Sequence, residues 1–102
     1  MGSFVKVAKT DALQEGQGIL IEAQGHQIAL FRQGGSYYAI ENACTHSGGP
    51  LAEGFVDGEQ VECPWHGARF NIKTGAALTP PAAEGVASFP VRVNGSDIEV
   101  EL

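Results

Sequence analysis

Cys44-Thr45-His46 and Cys63-Pro64-Trp65-His66 contain both cysteines of the chain and two of its three histidines. The pattern is Cys-x-His, an interval of sixteen residues, then Cys-x-x-His. Tyr37 to Glu41 precedes the first pair, Gln60 to Glu62 runs into the second, and Arg69 to Ile72 leaves it. All three segments have the short aromatic and β-branched character of strands. The pairs therefore fall on two loops, Cys44 to Gly54 and Cys63 to Gly67, each placed directly after a strand, where a rigid sheet can hold functional side chains.

The rest of the chain carries the same signal. Fourteen glycines and five prolines cut 102 residues into short apolar pieces, and no long amphipathic helix stands among them. Further strands are expected at Phe4 to Ala8, Ile19 to Ala23, Gln27 to Arg32, Val86 to Val93 and Ile98 to Leu102. Gln24-Gly25, Gly34-Gly35, Asp57-Gly58, Thr74-Gly75 and Asn94-Gly95-Ser96 supply residues that tolerate positive φ or bond locally to the backbone, so most neighbours should join as antiparallel hairpins. In the last hairpin Phe89, Val91 and Val93 alternate with other residues, and Ile98, Val100 and Leu102 answer them, giving each strand one buried face. Ala76 to Glu84, with Pro80-Pro81, makes a third loop. The expected fold is all-β, an antiparallel sandwich or small barrel, with residues 1–102 forming a single domain.

Composition narrows the function. An apolar fraction of 43% is ordinary for a globular chain, and no run approaches the roughly 18 apolar residues of a membrane span. The start, MGSFVKVAK, lacks the features of a secretory signal, so the protein is expected to be cytoplasmic, with no membrane association. Twelve acidic against six basic residues give a net charge of -6, which argues against nucleic acid as a partner. A protein partner or a small ligand is left.

Three readings of the Cys/His pairs compete. Both cysteines could be core residues or one disulfide with incidental histidines, but a cytoplasmic chain disfavours the bond and two matched pairs would be coincidence. Structural zinc accepts two Cys and two His, yet its motifs usually group like with like. An iron-sulfur cluster also suits the set, because two loops that each offer a thiolate and an imidazole can give both thiolates to one iron and both imidazoles to the other.

At these residues the sequence resembles the Rieske family. CTHSGGPL and CPWHGARF look like its two cluster-binding motifs, and the strand pattern from Phe4 to Leu102 is similar to that of the stand-alone Rieske ferredoxins. The resemblance implies one [2Fe-2S] cluster per chain, held in a subdomain formed by the two loops, with Cys44 and Cys63 on the inner iron and His46 and His66, through Nδ1, on the outer. Neutral imidazoles in place of two thiolates remove negative charge, so such a cluster accepts an electron more readily. Four protein ligands leave no open position for substrate, which implies a carrier and not a metal catalyst.

Departures from the respiratory members of the family are informative. The extra disulfide that ties their two loops together is replaced here by Gly49 and Trp65. Where they place a Ser and a Tyr hydroxyl against the cluster, the matching residues here look to be Ala68 and Phe70. The potential is therefore expected toward the low end of the Rieske range, around -150 mV. Pro80-Pro81 is expected to shield the cluster, whereas His26, beside a probable turn, reads as an exposed residue outside the site.

The resemblance thus implies the ferredoxin component of a bacterial multicomponent oxygenase. It would pass single electrons from an NAD(P)H-dependent flavoprotein reductase to a terminal oxygenase acting on an aromatic compound. The alternative is a Rieske subunit of another redox system, such as the small subunit of an assimilatory nitrite reductase. Charge is absent from Ala43 to Ala52 and Ala76 to Ala83, and Cys63 to Ile72 has only Arg69, so the tip around His46 and His66 should be nearly neutral. Leu51, Trp65 and Pro80-Pro81 are expected to form an apolar contact patch there.

Overall fold

A computed structural model describes residues 3–43, 49–65, 67–79 and 85–102. The strands are β1 (Phe4–Lys9), β2 (Gly18–Ala23), β3 (His26–Gln33), β4 (Ser36–Glu41), β5 (Phe55–Asp57), β6 (Gln60–Glu62), β7 (Arg69–Asn71), β8 (Ser88–Phe89), β9 (Val91–Asn94) and β10 (Asp97–Glu101). They form three antiparallel sheets in the orders β1-β10-β9, β2-β3-β4-β8 and β5-β6-β7. The all-β, antiparallel expectation is met, and of its two forms the sandwich-like one, since the sheets stay open and no barrel closes.

β2-β3-β4-β8 is the middle layer, and the alternation of β3 explains why. Ile28 and Leu30 point to one side, Ala29 and Phe31 to the other, and all four are fully buried. Ile28 and Leu30 join Leu13, Ala39, Ile98 and Val100 in a cluster against β1-β10-β9. Ala29 and Phe31 join Ile40, Leu51, Val61, Cys63, Phe70 and Ile72 in a second cluster against β5-β6-β7. Burying each large apolar side chain contributes about 1.5–3 kcal/mol, so each outer sheet is anchored by several such contacts.

Several expectations need correction. The strand expected over Val86 to Val93 is split at Pro90, which has no N–H for a ladder. Phe89 then pairs with Ala39 of the middle sheet, while Val91 and Val93 pair with Val100 and Ile98. Val93 is not buried as the alternation required: it is 48% exposed although its partner Ile98 is fully buried, because β9 is the edge strand of its sheet and has a neighbour on one side only. β5 was not foreseen at all. Three residues are too few to show a period, and the strand exists because Phe55, Val56 and Asp57 find partners in Glu62, Val61 and Gln60.

Leu51, expected at the surface, is fully buried. A single 3-10 turn, Leu51–Glu53, packs against β2 and β3 and turns its first two residues into the core. His26 is exposed, as expected, and packs the edge of its ring on Phe89 with centroids 5.7 Å apart.

The β3–β4 turn shows how local chemistry supports the middle sheet. Gly34 and Gly35 both take positive φ, 64° and 79°, as a tight two-residue hairpin turn demands. Their N–H groups both donate to the Glu15 carboxylate. Those bonds favour the charged form and hold the Glu15 carboxyl below its ordinary value of 4.5. A depressed carboxyl contributes stability that is present above the unfolded-state value and disappears as pH falls through the folded-state value. Glu15→Gln should therefore lower the urea midpoint at pH 7, and the gap from wild type should shrink toward pH 3.

Candidate metal centre

The two sequence-predicted loops rise from neighbouring points of the fold. The first is closed at its base by three contacts. Ala43 and Pro50 form an antiparallel bridge, the Leu51 N–H donates to the Asn42 carbonyl at 2.8 Å, and the Ala52 N–H donates to Asn42 Oδ1 at 2.9 Å. Asn42 is the one buried polar side chain among the described residues, and its own N–H donates to the Gln27 carbonyl on β3. It therefore fixes both ends of the loop to the middle sheet. Sequence reading passed over it; the available signal was an amide residue between a strand and a Cys/His loop, where such side chains satisfy stray N–H groups.

The second loop is a tight return between β6 and β7. The Cys63 N–H donates to the Ala68 carbonyl at 2.7 Å, and the Gly67 N–H donates to the Cys63 carbonyl at 3.1 Å. Beyond β7 the chain turns on Asn71, whose Oδ1 accepts from Lys73 and Thr74, and comes back so that Ala77 bridges Phe70. Thr79 Oγ1 accepts the Arg69 N–H, holding the chain where it enters the Pro80-Pro81 segment.

Cys63 carries a free thiol, buried at 1% exposure among Phe70, Leu51 and their neighbours. It is not half of a disulfide, which removes the disulfide form of the first competing reading. The first loop comes directly onto it. A Cβ built on Gly49 would lie 2.6 Å from Cys63 Sγ and 3.2 Å from Cγ and Cδ2 of the Trp65 indole. Gly49 is thus the point where the loops meet, and only a residue without a side chain permits the approach. Trp65 is 58% exposed, consistent with a residue that covers the junction and keeps an edge in solvent.

Of the four expected ligands the structure places Cys63; Cys44, His46 and His66 lie outside the described residues, as do Pro80 and Pro81. Cys63 is an apolar-seated soft donor facing the loop that bears the other Cys/His pair, which fits a thiolate-bound cluster. Ala68 and Phe70 are fully buried beside it and bring no hydroxyl to the region.

Comparison with known proteins agrees with this geometry. Residues 3–90 match the Rieske [2Fe-2S] domain. The chain belongs to that family, whose domain implies a [2Fe-2S] cluster. It is 44% identical over 89 residues to the 3-phenylpropionate/cinnamic acid dioxygenase ferredoxin subunit of Shigella boydii, a match covering 86% of this chain and 83% of the relative. Among solved structures it is similar to a chain in the complex of reduced oxygenase and oxidised ferredoxin in carbazole 1,9a-dioxygenase, with 33% identity, a TM-score of 0.89 and coverage of 96% and 92%. It is also similar to an NADH-dependent nitrite reductase small subunit from Mycobacterium tuberculosis, at 26% identity, a TM-score of 0.90 and coverage of 100% and 96%.

Two substitutions probe the loop bases. Asn42→Ala strips a partner from the buried Ala52 N–H and should destabilise the fold by about 1–3 kcal/mol in chemical denaturation, with faster loss of iron on dilution. Gly49→Ala forces a methyl group against Cys63 Sγ, an overpacking worth about 1–3 kcal/mol, and should lower iron content and shift the visible absorption of what remains.

Proposed function

We propose that this chain is a soluble, cytoplasmic one-electron carrier, folded as a single domain over residues 1–102. It takes electrons from an NAD(P)H-dependent flavoprotein reductase and delivers them to a terminal oxygenase. One [2Fe-2S] cluster per chain would be held by Cys44 and Cys63 on one iron and by His46 and His66 on the other. The observation that carries the reading is the buried, free Cys63 thiol with Gly49 of the first Cys/His loop pressed against it. When bound, the cluster supplies reversible one-electron chemistry at a potential that imidazole ligation raises above that of an all-thiolate centre.

The protein's share of the work is positional. Cys63 is set in the same core cluster as Phe31 and Ile40 of the middle sheet, so its sulfur is held by packed side chains and not by a mobile loop. Asn42 and the Ala43–Pro50 bridge hold the first loop to the same sheet. A ligand frame this fixed changes little between oxidation states, which favours fast transfer over chemistry at the metal. Ala68 and Phe70 donate no hydrogen bond that would stabilise the more negative reduced state, supporting a potential near the low end of the Rieske range, about -150 mV. No helix among the described residues is long and apolar enough to cross a membrane.

The oxygenase reading is favoured over the nitrite reductase one by the higher identity to the phenylpropionate dioxygenase ferredoxin, 44% against 26%. Purified protein should contain two irons and two acid-labile sulfides per chain, with the absorbance of a Rieske centre. Cys44→Ser or Cys63→Ser should abolish assembly, because the chain has no third thiol to substitute. Stoichiometric zinc without iron would overturn the reading.

A further inference from the structure

The ladder of the outer sheet places four side chains in one row. Phe55 pairs with Glu62, Glu62 with Arg69, and the Leu78 N–H donates to the Arg69 carbonyl beside the Phe70–Ala77 bridge. Their neighbours Val61 and Phe70 are buried, so by the pleat this row faces outward. Phe55, at one end, is 68% exposed, and Leu78, at the other, 43%. Between them Glu62 and Arg69 form an ion pair at 3.2 Å, and a shallow depression of about 210 Å³ lies among Phe55, Asp57, Gln60, Glu62 and Arg69. The row crosses β6 one residue before Cys63 and three before Trp65.

We propose that this face is the docking surface for the terminal oxygenase, continuous with Trp65 and extending down one side of the site. Phe55 enters an apolar socket on the oxygenase and Asp57 meets a cation at the socket's rim. The proposal rests on the carrier reading above. Charge selects the partner's chemistry. Glu62 is neutralised by Arg69 and Glu59 by Lys73, whose ammonium bonds its carboxylate at 2.6 Å, so most of the charge on this sheet is already matched within it. Asp57, two residues from Phe55 on the same outward side of β5, makes no ion pair among the described residues. An apolar anchor flanked in sequence by Asp57 and by Glu53, an exposed carboxylate that likewise makes no ion pair among the described residues, fits a partner with a complementary apolar pocket and basic side chains at its rim. An oxygenase is chosen as occupant because a related ferredoxin chain is found in complex with one.

The test measures electron transfer from the chemically reduced protein to two purified probes, the terminal oxygenases of carbazole 1,9a-dioxygenase and of phenylpropionate dioxygenase, by stopped-flow at varied oxygenase concentration. Phe55→Thr keeps a strand-forming residue and should raise the half-saturating concentration about tenfold, with absorption spectrum, potential and limiting rate unchanged. Asp57→Lys should raise it as well and weaken its salt dependence. Val93→Thr, at an exposed apolar site on β9 in the other outer sheet, should match wild type. The docking surface is wrong if Phe55→Thr behaves as wild type or if Val93→Thr loses as much. Wild-type protein that holds its cluster but reduces neither oxygenase overturns the reading of an oxygenase-directed carrier, and the surface with it.

Discussion

Everything in this molecule hangs on the burial of β3 on both of its faces. Ile28 and Leu30 close the core against the sheet made by the chain termini, while Ala29 and Phe31 close the core under the Cys/His loops. A strand buried on one side only would support a hairpin with a solvent face. Burial on both sides makes β2-β3-β4-β8 a shared floor, so the sheet that bears the site and the sheet that joins β1 to β10 are held to one plane. The β3–β4 turn, with Glu15 accepting from Gly34 and Gly35, keeps that floor in register.

The site inherits its order from this floor. Cys63, directly after β6, lies inside the cluster that Phe31 and Ile40 define, and Asn42, one residue past β4, clamps Leu51 and Ala52 at the far side of the first loop. Both loops are thus fastened at their bases to one rigid layer, and Gly49 lets them touch at the Cys63 sulfur. For an electron carrier this matters more than any single contact, because a firmly held site needs little reorganisation when the charge changes.

The surface follows from the same packing. Filling the core beneath the first loop consumes Leu51, while Phe55, four residues later on β5 of the outer sheet, turns outward. Among the described residues, apolar surface near the site lies along Phe55, Leu78 and Trp65, and is bounded by charges that are largely matched among themselves. The acidic excess of the chain, net -6, can orient an approaching protein over a distance while contact depends on the apolar residues.

The sequence by itself determined the class of fold, the family resemblance and the location of the two loops. These are local signals: Gly34-Gly35 can turn only in a few ways, Tyr37 to Glu41 has the composition of a strand, and two Cys/His pairs at that spacing suit few chemistries. Tertiary structure alone decided which residues face where. β5 is too short to show a period and exists through pairing with β6; Pro90 divides one apparent strand between two sheets; Leu51 is buried and Val93 exposed although both are equally apolar. Asn42 carries no motif and Gly49 lies inside CTHSGGPL, but the roles of both come from what lies against them, Ala52 in one case and the Cys63 sulfur in the other. Hydrophobicity and turn chemistry are written residue by residue, but burial and close approach are properties of pairs distant in the chain, and those are set only when the sheets pack.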